Sequence, residues 1–465
     1  MSTKDTILAV PEVSPAAESN KGPRNSFIVN TATVLGAQVA RAATSLLLEV
    51  VYARFLGPSG RGQLSLCLMV LGCGGLIGSL GGEIPIMLWS ADDKRKSSEW
   101  LPSVIFCGLL GSTLACGLWA FLFWWWRPEF LRGITGPLAI LVLGAIPFSI
   151  LATYCLALLV GLDRLRERSV LVVTSQFATL VVAGALLYFL PPTAELAFIA
   201  VLLGLLVALL GGAVFLKSQV RLLEGGVNAL SKVWAALSLG IRGQLGNVAT
   251  FFNYRLDVFV VNYYLSTTEV GLYALGVMVS ETLWQVPNAA ALALVPRTAR
   301  DLDRSGAEFT CLVCRQVFAV ACVTAIAVAV LSGWMIPLVF GDKFGPSVPV
   351  IWWILPGTIA LAVSKVMCAD LLARGMPGYS AMFAFITLLV TIGLDLLLIP
   401  RMGIQGAALA SSVAYLTNSL LVAMVLKRKL GVTWKALYVP TRTELTPYRQ
   451  VLSHLLNRVR PNVVH

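Results

Sequence analysis

Residues 240–281 read GIRGQLGNVATFFNYRLDVFVVNYYLSTTEVGLYALGVMVSE. An apolar span long enough to cross a bilayer carries Arg242, Arg255 and Asp257; a short turn follows, and a second span carries Glu281. Ionised groups at bilayer depth are expensive, so they face protein or a water-filled interior and mark a pathway. The stretch has a counterpart earlier in the chain. A shift of 209 positions (271 − 62) lays YYLSTTEVGLYALGVMV, 263–279, onto RFLGPSGRGQLSLCLMV, 54–70, and pairs Leu265 with Leu56, Gly271 with Gly62, Leu275 with Leu66, and Met278 with Met69.

At the same shift Trp125, Pro128, Gly136, Pro137 and Pro147 meet Trp334, Pro337, Gly345, Pro346 and Pro356. Rare residues that keep a common register over this distance indicate an internal duplication. With 57% apolar and 12% charged residues the chain has more apolar surface than a soluble core needs, and its mean hydropathy of +0.82 agrees. Apolar runs of about 20 residues, the length of a membrane helix, number twelve: roughly 27–52, 63–88, 101–126, 138–161, 169–190, 196–216, 238–264, 271–295, 310–336, 350–373, 379–399 and 404–426. The expected fold is an all-α polytopic membrane protein of two six-helix halves. Six is even, so both halves share one orientation and are related by an axis along the membrane normal, a transporter plan with the substrate site between the halves.

The expected organisation is a disordered tail over 1–26, an N-terminal half over 27–217, a linker over 218–237, a C-terminal half over 238–427 and a tail over 428–465. The first tail lacks the apolar core of a signal peptide. In the last, Leu445, Tyr448, Leu452, Leu455 and Val459 recur at helical spacing beside Arg449, Arg458 and Arg460, which suits a helix lying on anionic lipids. Orientation follows from the loops. One set holds thirteen basic residues: Lys94, Arg95, Lys96, Arg164, Arg166, Arg168, Lys217, Arg221, Lys232, Arg297, Arg300, Arg304 and Arg374. The other holds six: Arg54, Arg61, Arg127, Arg132, Lys343 and Arg401. Both termini are therefore expected in the cytoplasm.

This asymmetry accounts for most of the net charge of +12, so nucleic acid is not an expected partner. The only histidines, His454 and His465, lie in the tail, which excludes a His-ligated metal or a His relay inside the membrane. Cys311 and Cys314 form a lone C-x-x-C without a second pair and read as packing. Gly74, Gly78 and Gly82 form a small-residue stripe suited to close helix packing. Trp124, Trp125, Trp126, Trp352 and Trp353 read as interfacial anchors.

In the first span Asn30, Gln38, Arg41, Ser45 and Glu49 fall within an arc of about 100°; in the seventh so do Arg242, Gly246, Thr250, Asn253 and Asp257. Two matching stripes suggest a hydrated cavity between the halves, and the bland alternative is pairing inside the bundle. Arg255, about 220° from Arg242, leaves the stripe of an ideal helix.

The segments YARFLGPSGRGQLSL, 52–66, and RLDVFVVNYYLSTTEVGLYALG, 255–276, with Glu281 and Pro287 after them, resemble the polysaccharide (Wzx-type, lipid-linked oligosaccharide) flippases of the multidrug/oligosaccharidyl-lipid/polysaccharide (MOP) transporter superfamily. The resemblance covers roughly 27–427. Twelve spans set the chain apart from fourteen-helix members such as the lipid II flippases. What the resemblance implies is a V-shaped bundle in the bacterial inner membrane. It would carry an undecaprenyl-diphosphate-linked sugar unit from the cytoplasmic to the outer leaflet, beside polysaccharide polymerase and glycosyltransferase partners. Arg pairs bidentately with phosphate oxygens, so Arg41, Arg242, Arg255 and Lys365 are the candidate pyrophosphate-binding cations. Glu49, Asp257, Glu281 and Asp370 are candidate counter-charges or carboxylates coupled to an H+ or Na+ gradient. No catalytic residue, cofactor or metal is expected. A multidrug or cation antiporter would favour acids and aromatics over Arg41 in the stripe, and a membrane glycosyltransferase or polymerase would need longer outward loops than these.

Overall fold

The computed structural model describes residues 24–92, 97–217, 230–301 and 303–439. All regular structure in them is helical, and a helix stands at every one of the twelve expected spans. Helix α1 (Arg24–Gly78) holds the first two. Gly57, at φ 65° and ψ −176°, interrupts it with Pro58 next in the chain, a backbone geometry that suits glycine. A straight helix would separate Glu49 from Arg61 by about 18 Å. Their side chains are instead 2.8 Å apart, so the chain folds back on itself at Gly57.

The next elements are α2 (Glu83–Asp92), α3 (Ser97–Phe121), α4 (Gly136–Gly161), α5 (Leu165–Phe189) and α6 (Ala194–Leu216). The second half runs through α7 (Leu230–Tyr264), α8 (Thr267–Glu281), α9 (Gln285–Arg300), α10 (Arg304–Phe340), α11 (Ser347–Ala373), α12 (Pro377–Met402) and α13 (Ile404–Leu430), and a short α14 (Trp434–Tyr438) follows. Adding 209 to the bounds of α4 gives 345–370 and to those of α6 gives 403–425, close to α11 and α13. The duplication seen in the sequence is thus a duplication of helices.

Among the described residues, nine helices are individually long and apolar enough to cross a membrane. The three other spans have physical reasons to escape that count. The second is fused into α1 across the Gly57 kink. The seventh, in α7, carries Arg242, Arg255 and Asp257. The eighth is broken by a 3₁₀ turn at Thr282–Trp284, which divides α8 from α9. The second span is broken as well, about two turns further along than the repeat register of that 3₁₀ turn, and ends at Gly78 instead of 88. Leu80 (φ 49°) and Gly81 (φ 73°) turn the chain there before α2 begins. The linker is also shorter than 218–237, because 230–237 already belong to α7.

Contacts near the helix ends sort the two ends of the bundle. At one end Arg132 Nη2 donates to Leu265 O (2.7 Å), Asn262 Nδ2 to Phe130 O (2.9 Å), Arg54 Nε to Val339 O (2.9 Å) and Thr135 Oγ1 to Glu195 Oε1 (2.9 Å). At the other, Arg164 Nη1 reaches Phe215 O (2.5 Å) and Gln244 Nε2 reaches Leu76 O (3.1 Å). The glycine stripe of the second span packs tightly: Gly74 lies against Ile146, Gly78 against Gly111 and Gly82 against Tyr154, where a larger residue would keep α3 and α4 away. Cys311 and Cys314 are buried free thiols in an apolar cluster of the second half. Part of the C-terminal tail is docked, since Arg315 Nη1 donates to Ala436 O (2.6 Å) and Phe318 stacks edge-on with Tyr438. The tails 1–23 and 440–465, and with them the surface helix expected near Leu445–Val459, lie outside the described residues.

Candidate functional site

The halves meet tightest at the Gly57 end. Gly62 sits on the backbone of Thr267, and Gly271 on that of Pro58. The two contacts map onto each other under the shift of 209 (58 + 209 = 267; 62 + 209 = 271), so the pseudo-two-fold axis passes between the two glycines. A Cβ on either one would fall inside the envelope of the facing carbonyl oxygen, which explains why both copies of the repeat keep glycine there.

Directly beneath, α1, α7 and α8 enclose a cavity of about 220 Å³. Three repeat-equivalent pairs line it, Glu49 with Val258, Ser65 with Ala274 and Met69 with Met278, so it too lies on the axis. Its charges do not follow the repeat. Arg61 pairs with Glu49 at 2.8 Å and also donates to Ser65 Oγ; Arg255 pairs with Glu281 at 2.9 Å. Each ion pair lies within one half, and the two guanidinium groups come from opposite halves. The Arg61 side chain is 5% exposed and that of Arg255 40%. An arginine fork fits a carboxylate or a phosphate equally well, so an anionic ligand here competes with Glu49 and Glu281 for the same donors.

Of the candidate site residues, the structure brings Glu49, Arg255 and Glu281 together. In the sequence Arg61 counts as a loop residue because Gly57-Pro58 marks a turn. The turn is so tight that Arg61 falls at the start of the second span and is 4% exposed. Its repeat partner, Val270, is fully buried, and that register is the signal that could have placed Arg61 inside.

Arg41 and Arg242 are exposed and outside this cavity. Arg41 lies within electrostatic reach of Arg168 on α5, and its neighbour Ser45 accepts from Gln176 of α5. The polar stripe of the seventh span likewise turns into its own half. Asn253 Oδ1 accepts from Thr391 (2.7 Å), and Gly246 packs on Ala381. Asp257 accepts from the Tyr273 hydroxyl, from Ser411 Oγ (3.2 Å) and from the Val258 amide (2.8 Å). The wheel separated Arg255 from this stripe correctly, but the cavity between the halves lies on the side of Arg255. A helix inside a six-helix half can bury its polar face against its own neighbours, and periodicity does not say which neighbour is met.

Beside Asp257 lies Asp395, missed in the sequence because it sits alone in the apolar α12. It is fully buried, and neither carboxyl oxygen has a hydrogen-bond partner; Asp257 acts on it electrostatically. Asp370 has a structural place instead, joined to Arg374 at 2.8 Å and to the Thr310 hydroxyl at 2.7 Å. Lys365 lines a separate cavity of about 520 Å³ inside the second half. An apolar groove of about 450 Å³ runs between Trp119 and Phe130 of the first half and Phe252, Phe259 and Tyr263 of α7.

The sequence pattern of the family described as "Polysaccharide biosynthesis protein" matches residues 27–300, more than half of the chain. No curated protein matches. Among solved structures, the lipid II flippase MurJ in an inward closed conformation is similar, with a TM-score of 0.71, 13% identity, and coverage of 94% of each chain. An inward-facing multidrug resistance MATE family transporter of the MOP superfamily aligns with a TM-score of 0.64 and 12% identity, over 84% of this chain and 94% of the other. The eukaryotic MATE transporter AtDTX14 gives 0.57 and 15%, over 92% and 99%. These identities speak for the fold alone, a multi-pass membrane bundle of helices, and the family match adds the conclusion that the chain belongs to the polysaccharide biosynthesis protein family.

Proposed function

We propose that the protein carries an undecaprenyl-diphosphate-linked oligosaccharide unit from the cytoplasmic to the outer leaflet of the bacterial inner membrane by alternating access, for exopolysaccharide, capsule or O-antigen synthesis. The observation that carries this reading is the meeting of Arg61 and Arg255, one from each half, in a single cavity on the pseudo-two-fold axis. A diphosphate has enough oxygens to engage both guanidinium forks at once, and in a partly dehydrated site such contacts are about twice as strong as neutral hydrogen bonds. Each arginine keeps a glutamate of its own half, so separation of the halves would leave no cation uncompensated. The apolar groove beside α7 offers the prenyl chain a lipid-like surface. Arg41 with Arg168 would form an earlier cationic station. Asp257 with Asp395 is the candidate for coupling to an H+ or Na+ gradient, because a carboxyl buried without a partner is costly until a proton or cation joins it.

Proteoliposomes carrying a fluorescent polyprenyl-diphosphate disaccharide test the reading. Protein-dependent flipping is expected, with a large loss when the diphosphate is replaced by a neutral linkage; equal flipping of the neutral analogue would refute it. The proposed orientation has its own test. Reporter fusions at Arg166 and Arg300 should read cytoplasm and those at Gly133 and Gly345 the outside, and a reversed pattern at either pair would reject cytoplasmic termini.

A further inference from the structure

The 520 Å³ cavity of the second half lies between α7, α9, α11, α12 and α13 and is of the size that holds small ligands. Its wall combines the amides Asn253, Asn288 and Asn418 with the hydroxyls Thr250, Ser364 and Ser380, and the Tyr254 ring lies among them. Such a lining can hydrogen-bond to several hydroxyl groups of a ligand at once.

One cation enters this wall. The Lys365 ammonium lies 4.6 Å from the centre of the Trp284 ring and 5.6 Å from that of Tyr254. No carboxylate lines the cavity. Glu281 acts on Lys365 electrostatically but is already bonded to Arg255 at 2.9 Å. The central cavity is neutral, two arginines against two glutamates, whereas the positive charge in this one rests against aromatic faces, with Glu281 acting only from beyond the cavity wall. Cation–π contacts with aromatic faces are worth about 0.5–2 kcal/mol, less than a desolvated ion needs, so the arrangement suits a ligand that brings the missing negative charge.

We propose that this cavity receives the sugar portion of the substrate, and that Lys365 selects repeat units bearing an acidic substituent such as a hexuronic carboxylate. The proposal rests on the function proposed above and adds the substrate class. The test is a binding comparison in phosphatidylcholine nanodiscs between a farnesyl-diphosphate disaccharide ending in glucuronate and the same compound ending in glucose. The glucuronyl probe should bind about ten- to a hundredfold more tightly, the size of one hydrogen bond to a charged group. Lys365→Gln should bring that ratio to about one by weakening the glucuronyl probe, while Lys365→Arg keeps it and also guards against a folding defect. Arg428→Gln, equal in charge change but on the last turn of α13, should leave the ratio alone.

No preference in the parent protein, or a preference that survives Lys365→Gln, overturns the proposal. So does loss of the preference when phosphatidylglycerol is added to the nanodiscs, since the cation would then be serving a lipid headgroup. A farnesyl disaccharide without diphosphate separates the two readings. If it binds as tightly as its parent, the reading of the central cavity fails as well; if it binds far more weakly while glucuronate and glucose remain equal, only the present proposal fails.

Discussion

Arg61→Ala is expected to abolish polysaccharide export while the protein remains in the membrane. Its guanidinium is almost wholly buried and shared between Glu49 and Ser65, and truncating one partner of a buried pair costs about 3–5 kcal/mol. That is about two to four decades of affinity, here for an anionic ligand that loses half of its clamp. Arg61→Lys should retain a fraction of export, because charge survives while the bidentate fork is lost. If Arg61 serves only to neutralise Glu49, the single variant should be scarce in the membrane, and Arg61→Ala with Glu49→Ala should recover both abundance and export. Abundant but inactive protein in both cases supports anion binding; recovered export in the double variant rejects it. Arg41→Ala serves as the comparison. Arg41 is exposed and outside the cavity, so its removal should reduce export less than that of Arg61.

Gly62→Val should empty the state described here. The added Cβ would overlap a backbone oxygen of Thr267, and backbone cannot swing aside as a side chain can. Overpacking typically costs about 1–3 kcal/mol, and at the upper end the population shifts about 150-fold. A disulfide reports on it. A Cβ on Gly133 would lie 3.3 Å from that of Thr267, within reach of the usual disulfide spacing after a small adjustment. In a background without the nine native cysteines, Gly133→Cys with Thr267→Cys should therefore crosslink in spite of the backbone strain that a side chain meets at φ 94°, and Gly62→Val should remove the crosslink. Unchanged crosslinking beside Gly62→Val would mean that the halves tolerate the bulk and that the glycine contact is not what closes this end.

The fold was legible because a duplicated membrane protein records itself twice: Pro147 with Pro356, and Gly62 with Gly271, fix the register of whole helices. The site was less legible. Arg61 reads as a loop residue because Gly-Pro normally marks chain reversal with a few residues to spare, and here there are none. The break between α8 and α9 left little trace, since Thr282 and Gln285 keep helical backbone angles through the 3₁₀ turn. Asp395 is a single carboxylate among Leu and Ile, and only tertiary packing reveals that it shares its surroundings with Asp257. Lys365 was recognised as an intramembrane cation, but its cavity is built by five helices that no local pattern connects.

The lining of the central cavity follows the repeat, yet its four charges do not: Glu49 stands opposite Val258, Arg61 has Val270 as its counterpart, and the positions equivalent to Arg255 and Glu281 are Leu46 and Gly72. A container with true two-fold symmetry offers any guest two poses of equal energy, turned by half a revolution, and so cannot distinguish front from back. The misplaced charges remove that degeneracy. A guest with an oily end and a sugar end would then enter in one sense only, and the polarity of its journey would be written in how the duplicated halves diverged.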